Sequence, residues 1–141
     1  MKWEAYEELG TYVRQRKKEF NHIQEGRKKL LSRLAKAIRQ DLDLECSADL
    51  IFICTHNSRR SHMGQLWALV AAYEYDIIGI RGFSGGTEAT ALNPRAVKAL
   101  KKAGLEIEKR DEGSNPEYLV SLPGVEDGIR VFSKKYEDPP N

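Results

Sequence analysis

The chain has 141 residues, of which 40% are hydrophobic and 31% are charged, and its formal net charge is +2. This length fits one compact domain with a short appendage, and the composition is typical of a globular protein rather than of a disordered chain. The small net charge gives no support to nucleic-acid binding, and neither the acidic start nor the longest apolar stretch, LWALVAAY, fits a signal peptide or a membrane span, so we expect a cytoplasmic protein.

The first third of the chain has the periodicity of two amphipathic helices, over residues 3–20 and 23–42. Their apolar faces are expected to pack on the domain or on a second copy of the chain. We expect no binding to a membrane or to nucleic acid, because charge on a solvent-facing helix is ordinary. We assign residues 1–47 to this N-terminal helical extension and residues 48–141 to an α/β domain. The apolar face of the second helix is formed by Ile23, Leu30, Leu31, Leu34, Ile38 and Leu42.

The rest of the chain alternates between strand and helix patterns. This order predicts an α/β fold in which a small parallel sheet has helices on both faces. The first strand is an unbroken apolar run, which is typical of a strand buried on both faces. The predicted elements are strands at residues 49–54, 77–83 and 129–136, helices at residues 61–75 and 94–103 with Asn93 as N-cap, a loop at residues 84–92 and irregular chain at residues 106–128.

The segment between the first strand and its helix reads CTHNSRRS and is called the Cys54 loop, residues 54–61. A loop that turns back before a helix points successive backbone N–H groups into one hollow, where the helix dipole adds positive potential. Such a hollow binds a dianion such as phosphate and stabilises a thiolate, so Cys54 is a candidate nucleophile; a buried structural cysteine is the alternative. Arg60 can hold two oxygens of the bound group, and Ser61 can donate a hydrogen bond to the sulfur. The phosphate-binding candidates are Thr55, His56, Asn57, Ser58 and Arg59.

Two short patterns carry a resemblance to a known family. The matching positions are Cys54, Asn57, Arg60 and Ser61 in the pattern Cys-x-Gly-Asn-x-x-Arg-Ser, and SGGT at residues 84–87 against a Ser-Ala-Gly-Thr turn. Both patterns resemble those of the low-molecular-weight protein tyrosine phosphatases and the related thioredoxin-coupled arsenate reductases. The resemblance covers residues 49–107, and we find no counterpart of the family's fourth strand and last helix. We therefore expect the C-terminal part of the family fold to be missing.

The resemblance implies roles for individual residues. Ser84 is expected to hydrogen-bond Asn57, which would hold a left-handed backbone conformation that asparagine tolerates. A phosphatase of this type forms a phosphocysteine on Cys54, and water then hydrolyses it while Arg60 and the loop amides hold the phosphate oxygens. This chemistry uses no metal and no cofactor. The family's general acid is the Asp of an Asp-Pro pair, for which Asp138 is the candidate in this sequence, the alternative being a frayed turn.

The loop departs from the family pattern at two positions. His56 replaces the glycine, and Arg59 stands where many of these phosphatases have a second cysteine. We interpret His56 and His62 as hydrogen-bonded surface residues. The aromatic residues Tyr118, Phe132 and Tyr136 are interpreted as packing or surface residues, and no aromatic wall of a phosphotyrosine slot is assigned.

Two alternatives to a phosphatase stay open. An arsenate reductase of the same fold would bind its inorganic oxyanion in the same loop but needs a second thiol. Cys46 is the only other cysteine, and at about 3.3 Å per strand residue it should lie at the opposite end of the first strand, beyond disulfide reach. The other alternative is a non-catalytic module that binds an oxyanion or a phosphoprotein and recruits a partner through its helical arm.

Overall fold

The computed structural model describes residues 2–138 of the chain. Its helices are α1 (Glu7–Lys17), α2 (Glu25–Glu45), α3 (Arg60–Glu74) and α4 (Pro94–Lys102), with single 3₁₀ turns at Glu4–Tyr6 and Phe20–His22. Its strands are β1 (Ala48–Cys54), β2 (Ile80–Gly86), β3 (Glu106–Lys109), β4 (Tyr118–Leu122) and β5 (Val125–Val131). The N-terminal helical pair and the α/β class are confirmed. Within the described residues, none of the helices combines the length and the apolar character needed to cross a membrane.

A two-stranded parallel sheet positions the Cys54 loop. β1 and β2 pair in parallel with Cys54 opposite Gly86, and α3 forms the crossover between them and packs on both strands. The helix approaches closely because Gly64 has no side chain, and a Cβ there would collide with the ring of Phe52. The carboxyl ends of both strands therefore meet at the start of α3, which is where parallel sheets bind ligands.

The prediction that β1 is buried on both faces is wrong. Ile51 and Ile53 alternate with the residues that face α3, and each keeps 50% of its surface exposed. A sheet of two strands is narrow, so one helix can cover one of its faces while part of the other stays open to solvent. An apolar run cannot report whether its second face is covered.

The prediction of irregular chain over residues 106–128 is also wrong. This segment contains β3, β4 and the start of β5, which form an antiparallel sheet in the order β3-β4-β5. The strands are short, and a tight turn at Gly124, whose φ is 80°, joins β4 to β5. Because the segment is rich in turn residues, its sequence pattern did not indicate strands of only four to seven residues.

The third predicted strand, residues 129–136, is only partly correct. Its first residues belong to β5, which ends at Val131 and pairs with β4 rather than with the parallel sheet. Beyond β5, Lys135 forms a single parallel bridge to Gly86, with hydrogen bonds from the Gly86 N–H to the Lys134 carbonyl and from the Tyr136 N–H to the Gly86 carbonyl. The chain after β5 thus touches the parallel sheet beside the Cys54 loop.

The hydrophobic core lies between α1, α3, α4 and the antiparallel sheet. Leu9 of α1 is fully buried in it, so the first N-terminal helix shares the core of the α/β domain. In contrast, α2 contributes no buried residue. The boundary predicted between residues 47 and 48 falls in the turn between α2 and β1 and stays a prediction. The core residues are Leu9, Leu66, Val70, Leu92, Ala96, Val97, Leu100, Leu105, Ile107, Tyr118, Val120, Leu122 and Val131.

Candidate active site

The Cys54 loop is held on the end of β2 by backbone hydrogen bonds. The Thr87 N–H donates to the Cys54 carbonyl at 3.1 Å, and the Glu88 N–H donates to the Thr55 carbonyl at 2.9 Å. The approach is possible because residue 86 is glycine: a Cβ there would lie 2.7 Å from the Asn57 nitrogen and from two carbonyl oxygens. The SGGT pattern therefore serves the loop in two ways: Gly86 leaves room for the loop backbone, and Ser84 supplies a hydroxyl.

The Cys54 sulfur lies at the floor of this loop and accepts hydrogen bonds. Partial burial raises its pKa, but hydrogen bonds from the Ser61 hydroxyl and from three backbone N–H groups outweigh burial and lower the pKa to about 7. The Ser61 oxygen lies 3.0 Å from the sulfur. A large fraction of Cys54 is therefore thiolate at neutral pH. The three backbone donors are those of Ser61, Ser58 and Asn57.

Asn57 stabilises the loop through hydrogen bonds of its buried side chain. Its φ is 46°, and its buried side-chain amide donates to the Ser61 hydroxyl at 2.6 Å and to the Ser84 hydroxyl at 3.2 Å. Its side-chain carbonyl accepts from the Lys134 N–H at 2.9 Å. Since the Ser61 oxygen accepts from Asn57, its own hydrogen is free to point at the Cys54 sulfur. The left-handed conformation and the bond to Ser84 that the resemblance implied are both present.

Two basic side chains are buried behind the loop. The Ser84 hydroxyl lies 3.1 Å from the His62 Nδ1 and 3.3 Å from the Lys134 Nζ. Burial, and then the charge of Lys134, lower the pKa of His62 to about 4, and burial lowers the pKa of Lys134 to about 8. His62 is therefore a neutral imidazole at pH 7. Because the Ser84 oxygen accepts from Asn57 and Lys134, its hydrogen can point to Nδ1, which leaves the proton on Nε2.

The interpretation of His62 as a surface residue is wrong. It is fully buried, and its Nε2 has no hydrogen-bond partner among the described residues. The helical spacing of His62 with Leu66 and Val70, both in the core, was the signal that could have located it. No such signal existed for Lys134, because a lysine near the end of the chain is ordinarily exposed.

A polar pocket with a volume of about 320 Å³ opens in front of Cys54. Thr55 and Asn57, which were predicted to bind phosphate, do not line it with their side chains, although the Asn57 N–H points to the sulfur. Thr90 and Asn93 were not predicted: the Thr90 hydroxyl donates to the His56 carbonyl at 3.2 Å, and Asn93 also caps α4, as expected. The lining residues are Cys54, His56, Ser58, Arg59, Arg60, Thr90 and Asn93.

The other candidates lie at the rim or elsewhere. The exposed His56 imidazole is 3.5 Å from the Glu88 carboxylate. Asp138 does not line the pocket, and its carboxylate accepts from the Lys135 N–H at 3.3 Å. Its role as a general acid stays a prediction, and Pro139 lies outside the described residues.

None of the three aromatic candidates lines the pocket: Tyr118 is buried in the core, Phe132 is half-buried, and the half-exposed Tyr136 packs beside Gly85.

The second cysteine is remote from the pocket. Cys46 ends α2 with a left-handed backbone, two residues before β1 begins, and both cysteines are free. Its predicted position at the opposite end of the strand from Cys54 is confirmed. Within residues 2–138, no group of three or more His, Cys, Asp or Glu side chains is arranged to hold a metal ion.

Comparison with known proteins gives relatives for part of the chain. An arsenate reductase of Bacillus subtilis (strain 168) is 37% identical over 82 residues, which is 53% of this chain and 56% of the relative. An arsenate reductase of Halalkalibacterium halodurans is 39% identical over 72 residues, which is 50% of this chain and 48% of the relative. Arsenate reductase 2 of Staphylococcus haemolyticus is 39% identical over 59 residues, 41% of each chain.

These similarities are partial. The chain spans about half the length, or less, of the curated relatives it matches. No family model and no solved structure matches it. The resemblance to the low-molecular-weight phosphatases and arsenate reductases that the sequence indicated is nevertheless confirmed, and the three relatives named above are arsenate reductases.

Proposed function

We propose that the chain is a cysteine-dependent arsenate reductase in which Cys54 is the nucleophile and a separate molecule supplies the second thiol. The observation that carries this proposal is the hydrogen-bonded Cys54 sulfur at the floor of a polar pocket that Arg59 and Arg60 line. A pocket of this kind favours a small, highly charged tetrahedral oxyanion over an aromatic phosphate ester, which needs an apolar wall beside its ring. The names of the relatives support the same substrate.

The first step joins sulfur to arsenic. The Cys54 thiolate attacks arsenic(V), an As–S bond forms, and one As–O bond breaks as its oxygen takes up protons and leaves as water. The N–H groups of the Cys54 loop and the Arg60 guanidinium hold the remaining oxygens while negative charge shifts from sulfur to the oxyanion. A pKa of about 7 serves this step, because the thiolate is abundant but still leaves readily.

The second step reduces arsenic and needs the external thiol. Its thiolate attacks the Cys54 sulfur, an S–S bond forms, the As–S bond breaks, and the electron pair passes to arsenic, which leaves as arsenite. A second external thiol then attacks the mixed disulfide, which releases an external disulfide and restores the Cys54 thiolate. Cys46 cannot replace this thiol within one chain, because β1 separates the two cysteines. A cytoplasmic location, where thiols are kept reduced, is part of the proposal.

A phosphatase is the second candidate. A phosphocysteine on Cys54 is released by water and needs no second thiol, which fits a chain whose other cysteine is remote. Two observations weigh against it: the Asp138 carboxylate does not line the pocket, and no aromatic wall is present among the lining residues. Without an acid, only esters with good leaving groups should turn over.

The test measures arsenite release with a small dithiol, and hydrolysis of para-nitrophenyl phosphate, for the wild-type chain and two cysteine variants. We expect Cys54→Ser to lose arsenite release by about a thousandfold or more, because serine is not ionised at neutral pH. Cys46→Ser is the matched control and should retain the wild-type rate.

Three outcomes would change the assignment. Arsenite release that survives in Cys54→Ser would remove the nucleophile. Phosphate-ester hydrolysis that outpaces arsenate reduction would favour the phosphatase. Tight oxyanion binding with neither activity would favour a non-catalytic module.

A further inference from the structure

The helix α2 carries an apolar face that its own chain leaves open. Its leucines Leu30, Leu31 and Leu34 are 56%, 45% and 49% exposed, although they lie on one side of the helix. Three neighbouring leucines in water are unfavourable, since burial of apolar side chains is the main driving force of association between protein surfaces. This stretch of α2 is called the leucine face.

A matching apolar hollow lies along the second half of the same helix. It has a volume of about 450 Å³ and opens between α2 and the loop before β2. Ile78 at its rim is 89% exposed, which is unusual for an isoleucine. The hollow is lined by Ala35, Ile38, Arg39, Leu42, Asp43, Ile77 and Ile78.

The charges of α2 are divided along its length. The helix is basic from residue 27 to residue 39 and acidic from residue 41 to residue 45, and both Arg39 and Asp43 line the hollow. Within residues 2–138 the only ion pair shown for these charges is that of Lys28 with Glu25, at 3.4 Å. One end of the helix is therefore the electrostatic complement of the other. The basic residues are Arg27, Lys28, Lys29, Arg33, Lys36 and Arg39, and the acidic ones are Asp41, Asp43 and Glu45.

We propose that two copies of this chain form a dimer in which the α2 helices run antiparallel and the leucine face of each copy fills the hollow of the other. A two-fold axis between Leu34 and Ala35 brings Leu31 opposite Ile38 of the second copy. The same register brings the basic residues Arg27 and Lys28 to the level of Asp41 of the second copy, so opposite charges meet at both ends of the contact, whereas Arg33 and Lys36 near its centre are like charges at the same level. A helix of 21 residues, about 31 Å long, is long enough to hold both contacts.

A second copy satisfies both features of α2 at once. Because leucine face and hollow are on the same helix, a two-fold axis uses each of them twice, which is the geometry of an isologous dimer. The Cys54 loop contributes nothing to this contact, so the dimer and the proposed reductase activity stand or fall separately.

Sedimentation equilibrium over a wide range of protein concentration tests the dimer. We expect the wild-type chain to dimerise, and the double variant Leu31→Glu, Leu34→Glu to raise the dissociation constant about a hundredfold. Gln40→Glu is the matched control: Gln40 is exposed but lies about 180° around the helix from Leu31, so dimerisation should be unchanged. Circular dichroism and the alkylation rate of Cys54 verify that each variant is folded.

A charge exchange tests the antiparallel arrangement independently of the leucines. One variant reverses the basic half (Arg27→Glu, Lys28→Glu, Lys29→Glu) and another reverses the acidic half (Asp41→Lys, Asp43→Lys, Glu45→Lys). Each alone should be monomeric through like-charge repulsion, whereas an equimolar mixture should form a heterodimer. A wild-type chain that is monomeric at every concentration, a dimer that survives the leucine double variant, or a mixture that stays monomeric would each overturn the proposal.

Discussion

The Cys54 loop and the helix α2 are both prominent in the sequence, but the structure treats them differently. Beneath the loop, the side chain and backbone groups of distant residues are joined by hydrogen bonds: Asn57 alone joins Ser61, Ser84 and Lys134. In α2 no residue is buried, and three of its leucines are about half exposed. A region held on all sides by its own fold should tolerate little change, whereas a region with open faces should tolerate change until its partner binds.

The largest effect on the Cys54 loop is expected from a methyl group added at Gly86. We expect Gly86→Ala to lower the free energy of unfolding by about 2–3 kcal/mol and to reduce arsenite release, because the new Cβ would lie 2.7 Å from three backbone atoms of the loop region. Urea unfolding and the rate assay measure both effects. Gly113→Ala is the control, since its nearest neighbour is a movable Asp111 oxygen at 3.1 Å. Equal effects of the two changes would show that the loop is not tightly packed.

The buried imidazole behind the loop predicts a pH dependence of stability. His62 has a pKa of about 4 in the folded chain against 6.5 when unfolded, so between these values the unfolded state binds more protons. The free energy of unfolding should therefore fall as the pH is lowered through this window, by up to about 1.4 kcal/mol per pH unit. Urea unfolding at a series of pH values measures the slope.

Two variants isolate the contribution of that imidazole. His62→Gln should flatten the slope, and the exposed His56→Gln should leave it as in the wild type. An unchanged slope in His62→Gln would contradict the burial of a neutral imidazole behind the loop.

A smaller change is expected at the sulfur itself. Ser61→Ala removes the hydroxyl that lies 3.0 Å from the Cys54 sulfur, so the pKa of Cys54 should rise by about one unit. The rate of alkylation by iodoacetamide, which follows the thiolate, should then increase at higher pH than in the wild type. Thr87→Ala, which removes a hydroxyl that donates to a nearby carbonyl but not to the sulfur, serves as the control. A midpoint that does not move would remove Ser61 from the stabilisation of the thiolate.

The smallest effect has the opposite sign and belongs to α2. A Cβ at Gly26 would meet nothing within 4 Å, so Gly26→Ala should stabilise the first turn of the helix by about 0.5 kcal/mol. Slower hydrogen exchange of the α2 amides measures this gain. Gly10→Ala in α1 provides the contrast, because its Cβ would lie 2.6 Å from the ring of Trp3 and should destabilise the chain. Faster exchange in Gly26→Ala would mean that this helix end is packed after all.

Local patterns predicted the parts of the site that are made locally. The strand-loop-helix order around Cys54 and the cap of α4 by Asn93 each depend on residues close in the sequence. The left-handed conformation of Asn57 was implied by the family resemblance. The failures involve distant residues. Lys134 and Ser133 each bond the loop across 77 positions of the chain, and nothing in a stretch of sequence reports such a contact.

The antiparallel sheet was missed for a related reason. Its strands are short and rich in charged and turn residues, so their pattern alone resembles irregular chain. Pairing between β3, β4 and β5 supplies the hydrogen bonds that make them strands, and that pairing is a property of the folded chain.

The sequence by itself determined that a polar loop with backbone N–H groups turned towards Cys54 follows a strand, that its cysteine is placed to be ionised, and that α2 is amphipathic. These features follow from backbone hydrogen-bonding groups and helical periodicity, which act over a few residues. Only the tertiary structure decided that His62 and Lys134 lie behind the loop and that the leucine face of α2 stays open. Burial depends on which distant segments meet, and a local pattern carries no information about that.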